Sequence, residues 1–170
     1  MRKKLISVLQ SILLCILYSW GGYVCAEQDA SKFYLPNDIT QAQAEQVMAA
    51  AVKKAVDNKL LMNIAIVDAG GNLKAFVRMD GAFLASIDIA IKKAKTARSL
   101  NMSTYELSKL AQPGNELYGI EATNGGMAIF GGGELIKNKD GLIVGAIGVS
   151  GGSVAEDMTV AQAGAAVMVK

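Results

Sequence analysis

The 170-residue chain contains no histidine, and its two cysteines, Cys15 and Cys25, and its one tryptophan, Trp20, all fall before Glu27. Residues 27–170 therefore carry no thiol and no imidazole. That excludes disulfide scaffolds, zinc fingers, cysteine nucleophiles and histidine-based acid–base catalysis. Two prolines stand against 18 glycines, and 52% hydrophobic residues against 19% charged ones, a composition that fits neither disorder nor a collagen repeat. Nor is there a surplus of one charge: 17 basic residues face 15 acidic ones, and Arg2, Lys3 and Lys4 supply part of the basic count. A nucleic-acid partner is not indicated.

Those three cations precede an apolar run over residues 5–20, followed by Gly21, Gly22, Tyr23, Val24, Cys25 and Ala26. A basic start, a short apolar stretch and small residues before a cut form the pattern of a secretory signal peptide, and the run falls short of the ~20 residues of a membrane span. Val24 and Ala26 stand third and first before a cut that frees Glu27, while Cys25 lacks the flanking residues of a lipoprotein box. The expectation is a signal peptide over 1–26, an extended polar lead-in over 27–36 and a domain over 37–170. Its location is then periplasmic or secreted.

Past the lead-in, Thr40 with Gln43 has the spacing of a capping box, and Ala44, Val47, Met48, Ala51, Val52 and Ala55 repeat at helical intervals. Residues 62–68 and 73–79 read as strands joined by Gly70, Gly71 and Asn72, a hairpin. A second helix carries Phe83, Ile87, Ala90, Ile91, Ala94 and Ala97, with Lys92, Lys93, Lys95 and Arg98 on a face expected to be solvated. One or two helical turns follow at 103–110, a short strand is expected at 127–130, and 134–137 with 142–149 read as a second hairpin. Ser153 and Glu156 cap a last helix, whose Gly164 predicts close backbone approach to the sheet or to another subunit. This order does not alternate as a parallel sheet requires; it predicts an α+β fold, an antiparallel sheet of about five strands with flanking helices in a single domain.

Gly148, Val149, Ser150, Gly151 and Gly152 match the nucleophile-elbow pattern between a strand and a helix, but the serine has no histidine to take its proton. The segment reads instead as a glycine turn feeding a capped helix. A metal would have to use oxygens from Asp68, Asp80, Glu121 or Asp157, and no calcium-loop spacing occurs. No metal ligand set is assigned. The stretch 101–127 holds the densest candidate ligand surface, with Tyr105, Gln112, Tyr118, Glu121, Thr123 and Asn124 among glycines.

Several blocks occur in order: Asp68-Ala69-Gly70-Gly71-Asn72, Arg78-Met79-Asp80-Gly81-Ala82, Lys93-Ala94-Lys95-Thr96-Ala97, Tyr118-Gly119-Ile120-Glu121, Asn124-Gly125-Gly126 and the glycine-rich run from Gly145 to Gly152. In these the chain resembles the GlcG/HbpS-like family (DUF336), small haem-binding or haem-degrading-like proteins also related to the C-terminal domain of some cobalamin adenosyltransferases. The resemblance implies a profilin-like fold, a homo-oligomer often described as an octamer, a small-molecule ligand with haem as the first candidate cofactor, and a membrane sensor as a partner. Relatives carry histidine where this chain has Ala122 and Met158, so histidine ligation of haem is excluded. Tyr105, Tyr118, Met79, Met127 and Met158 remain as iron donors, with Arg78 or Lys93 as propionate partners.

The resulting expectation is an exported, oligomeric tetrapyrrole-binding protein with Arg78, Tyr105, Tyr118, Glu121 and Asn124 as ligand-binding residues and no catalytic residue assigned. One alternative is an enzyme acting on a small carboxylic or hydroxy acid, with Glu121 or Asp157 as acid or base. Another is a regulatory interaction module at the membrane.

Overall fold

The computed structural model describes residues 35–169, so the expected signal peptide and most of the lead-in lie outside the described residues. Helix α1 (Gln41–Asp57) begins where the Thr40 hydroxyl accepts the Gln43 N–H and the Gln43 side chain accepts the Thr40 N–H. The box satisfies two amides that a helix start leaves free. Strands β1 (Asn63–Val67) and β2 (Leu73–Arg78) form the first hairpin, and the Asp68 carboxylate accepts the N–H groups of Gly70 and Asn72 to shape its turn. Helix α2 (Ala85–Leu100) stops at Asn101, whose φ is 53°. Helix α3 (Thr104–Leu110) has a second capping box, Ser103 with Glu106, and a short 3-10 turn covers Ile120–Ala122. Strands β3 (Gly133–Lys137) and β4 (Ile143–Ser150) precede α4 (Val154–Ala165), capped by Ser153 and Glu156, and a 3-10 turn over Ala166–Val169.

The strands form one antiparallel sheet in the order β2-β1-β4-β3. It has four strands where about five were expected, because 127–130 does not join it. The Met127 N–H goes to the Glu121 carbonyl and the Ala128 N–H to the Thr96 hydroxyl, so those amides are taken before any ladder can form. Strand β3 is consequently an edge.

Both faces of the sheet are covered. On one, α1 and α4 enclose Ile64, Ile66, Ile136, Ile147 and Val149 with Val47, Ala51 and Val160. On the other, α2 lays Ala90, Ala94 and Ala97 on Ala65, Val67 and Ala146. Small side chains on both sides bring α2 close to the strands, and Gly148 takes this to its limit: a Cβ there would strike the Ala90 carbonyl oxygen and the Ala94 nitrogen. Gly164 serves α4 in the same way, against Ile147 and α1. The expected solvated lysine face needs correction at one residue, since Lys93 is fully buried.

Candidate functional site

Along the free side of β3, between α3 and α4, runs a cleft of about 480 Å³. Tyr105 and Lys109 line it from one face of α3, Met158 and Gln162 from one face of α4, and Glu134, Leu135 and Lys137 from the strand. Residues four apart on a helix share a face, which is why each helix contributes a pair. The Lys109 ammonium lies 4.4 Å from the centre of the Tyr105 ring. Tyr105 and Met158, far apart in sequence, thus share one wall-to-wall opening with two lysines.

Glu134 is the perturbed acid of this cleft. Burial pushes its carboxyl above the usual value, the nearby Glu106 charge adds to the rise, and a 3.4 Å hydrogen bond from the Gln162 amide opposes it. The folded state therefore holds this proton more tightly than the unfolded chain, where glutamate titrates near 4.5. The contribution to stability is largest below that value and is lost as pH rises from it through the higher folded value. Glu134→Gln should flatten this decline in urea melts taken at stepped pH. Equal slopes in both proteins would refute the assignment.

At the far end of the same strand the Lys93 ammonium donates to Asp157 Oδ2 at 2.6 Å and to the Val149 carbonyl at 2.9 Å, and lies 4.7 Å from the centre of the Phe130 ring. Asp157 Oδ1 accepts the Gly152 N–H at 3.0 Å. Lys93 comes from the helix on one face of the sheet and Asp157 from a helix on the other, so the pair ties the two layers together. Burial lowers Lys93 and raises Asp157, and each effect is opposed by the partner's charge and hydrogen bond. Two expectations fall here: Lys93 does not reach a propionate, and Asp157 is committed to a buried pair rather than free as an acid or base. Ser150, the elbow serine, is buried at the end of β4.

The expected binding residues do not converge. Tyr105 lines the cleft beside β3; Asn124 lines a separate pocket against α2. Tyr118 projects into solvent, and Glu121 is half-buried with an Oε2 atom that meets no hydrogen-bond partner among the described residues. Arg78 ends β2, the strand at the opposite edge of the sheet from β3, so it does not join Tyr105. Lys109, Glu134 and Gln162 line the cleft as well and are not among the residues expected from the sequence. Their four-residue spacing from Tyr105 and Met158 was visible for Lys109 and Gln162, but only the edge position of β3 brings the helices together. Among the described residues no group of three histidine, cysteine, aspartate or glutamate side chains could hold a metal ion.

The family model described as haem-degrading protein HbpS-like matches residues 39–166. A 15.0 kDa protein of Citrobacter freundii, encoded between dhaT and dhaS, is 40% identical over 124 residues, 73% of this chain and 87% of its own length. The corrinoid adenosyltransferase PduO of Salmonella typhimurium is 40% identical over 133 residues, 78% of this chain, but the match spans only 39% of that enzyme. Among solved structures, a PduOC:heme complex superposes with a TM-score of 0.72 at 39% identity, covering 76% of this chain and 94% of the other.

Proposed function

Because the chain belongs to the HbpS-like family over residues 39–166, we propose that it is an exported, oligomeric protein that binds a tetrapyrrole, haem first, in the cleft between α3, β3 and α4. One observation carries this: Tyr105 and Met158 line the same cleft. Haem iron accepts phenolate or thioether donors, and a chain without histidine has these to offer. Lys109 and Lys137 supply cations for propionate carboxylates, and Leu135 an apolar wall. The donor set fits the group. Haem, when bound, supplies the iron; the protein's part is to hold the ring's edge and pair its carboxylates. The haem complex of the 39%-identical PduOC structure supports the ligand class.

Leu61, Phe83 and Leu84 are each more than half exposed near one end of the sheet, where β1 begins and β2 leads into α2. Exposed apolar surface of this kind supports assembly, and the expected signal peptide over 1–26 supports export. Haem titration followed at the Soret band tests the ligand. A saturable band is expected, with Tyr105→Phe/Met158→Leu weakening affinity about tenfold or more, or roughly 1.4 kcal/mol. A band without saturation removes haem; saturation unaltered by the double variant removes the cleft.

A further inference from the structure

We propose that a second pocket, formed by α2 and the loop at 124–126, binds a small oxyanion, the phosphate or carboxylate group of a larger ligand. It encloses about 160 Å³ and shares no lining residue with the Tyr105 cleft. Helical spacing sets Lys92, Lys95 and Ser99 along one face of α2, all of them on the pocket wall. Asp88 Oδ2 lies 2.9 Å from the Lys92 ammonium and offsets that charge. Lys95 makes no ion pair among the described residues, so the pocket keeps a net positive charge. A cation would find only a carboxylate that already has a partner.

The other donors are built into the fold. Thr96 is 3% exposed, and its hydroxyl oxygen accepts the Ala128 N–H at 3.0 Å. Its own proton has no acceptor among the described residues. A buried hydroxyl in that state retains an undirected donor, which costs stability unless something accepts it. Across the pocket, Asn124, Gly125 and Gly126 have φ of 54°, 73° and 100°. The Gly126 N–H closes on the Thr123 carbonyl, whereas those of Asn124 and Gly125 meet no acceptor among the described residues. Asn124 and Gly125 are turn residues, and successive turn amides left free form a concavity suited to an anion. The φ of Gly126 favours glycine, and the Lys92 nitrogen lies 3.3 Å from where its Cβ would be, so the lysine reaches right to the loop. An ammonium, a buried hydroxyl and two loop amides thus surround a space that admits one anionic group and leaves the rest of its carrier outside.

The test titrates the full chain with inorganic phosphate and, separately, with malonate, following backbone amide shifts by NMR. Saturable shifts at Asn124 and Gly125 are expected, with Lys95→Ala weakening the response about tenfold and Lys95→Glu abolishing it. Lys95 is exposed, and an unchanged melting temperature in Lys95→Glu establishes that the variant is folded. Response to phosphate alone, malonate alone or both upholds the site and identifies the oxyanion it takes. Absence of saturation with either probe at millimolar concentration, or equal binding by Lys95→Glu, overturns it. The site is independent of the tetrapyrrole cleft, so haem affinity should be the same in Lys95→Glu; a parallel fall would merge the two sites and overturn a separate one.

Discussion

Lys93→Met should lower the free energy of unfolding by about 3–5 kcal/mol, the cost of removing one member of a buried ion pair and leaving the other charge behind. The ammonium uses all its donor directions: the Asp157 carboxylate, the Val149 carbonyl and the face of Phe130. Methionine fills a similar volume but leaves Asp157, 3% exposed, with only the backbone amides at the start of α4. The double variant Lys93→Met/Asp157→Leu removes both charges and should recover much of the loss, since a buried pair and an apolar replacement are often near equal in stability. Urea denaturation of the two single variants and the double gives the coupling directly. A single-variant loss below about 1 kcal/mol, as for a solvent-exposed pair, would mean that water reaches these groups.

The second large effect is steric. Gly148→Ala should cost about 1–3 kcal/mol, the usual penalty of an added carbon in a filled core. The atoms in its way are the Ala90 carbonyl oxygen and the Ala94 nitrogen, backbone atoms held within α2. For the new methyl to fit, the whole helix must move off the sheet. Gly131→Ala is the informative comparison, because there the obstacle is the Met158 thioether, 2.6 Å from the added carbon and at the end of a flexible side chain. Its loss should be smaller, and its effect should be felt in the cleft beside β3 that Met158 lines. Thermal melts that ranked the two variants in the opposite order would contradict this account of the α2–sheet contact.

The fold is legible in the sequence wherever the interaction is local. Thr40 with Gln43 and Ser153 with Glu156 each close a box within four residues, and each helix starts where its box stands. The hairpin turns at Asp68 and Asn138 are equally local, each side-chain oxygen accepting amides two and four residues on. It is not legible where a partner comes from elsewhere in the chain. Lys93 sits among lysines on a helix and gives no local sign that Asp157 waits on the far side of the sheet. The apolar run at 127–130 looks like a strand by composition, yet its fate was decided by a threonine on α2. The cleft was hidden for the same reason: Tyr105 was visible, but Met158 and Glu134 became its neighbours only through the packing of α3 and α4 along β3.

The two threonine anchors carry one more consequence. Thr96 holds the Ala128 amide and Thr104 holds the Gly133 amide, at 3.0 and 2.8 Å, so the stretch between them is pinned at both ends by side-chain hydroxyls. In hydrogen exchange such amides follow the opening of the contact that protects them, and local openings require far less free energy than global unfolding. The deuterium clock of 128–133 should therefore run with the breathing of α2 and α3 against this stretch, faster than that of the central strands β1 and β4. The exchange should slow abruptly at the ladder itself, where the Gly132 carbonyl accepts the Val149 N–H and Gly133 begins β3.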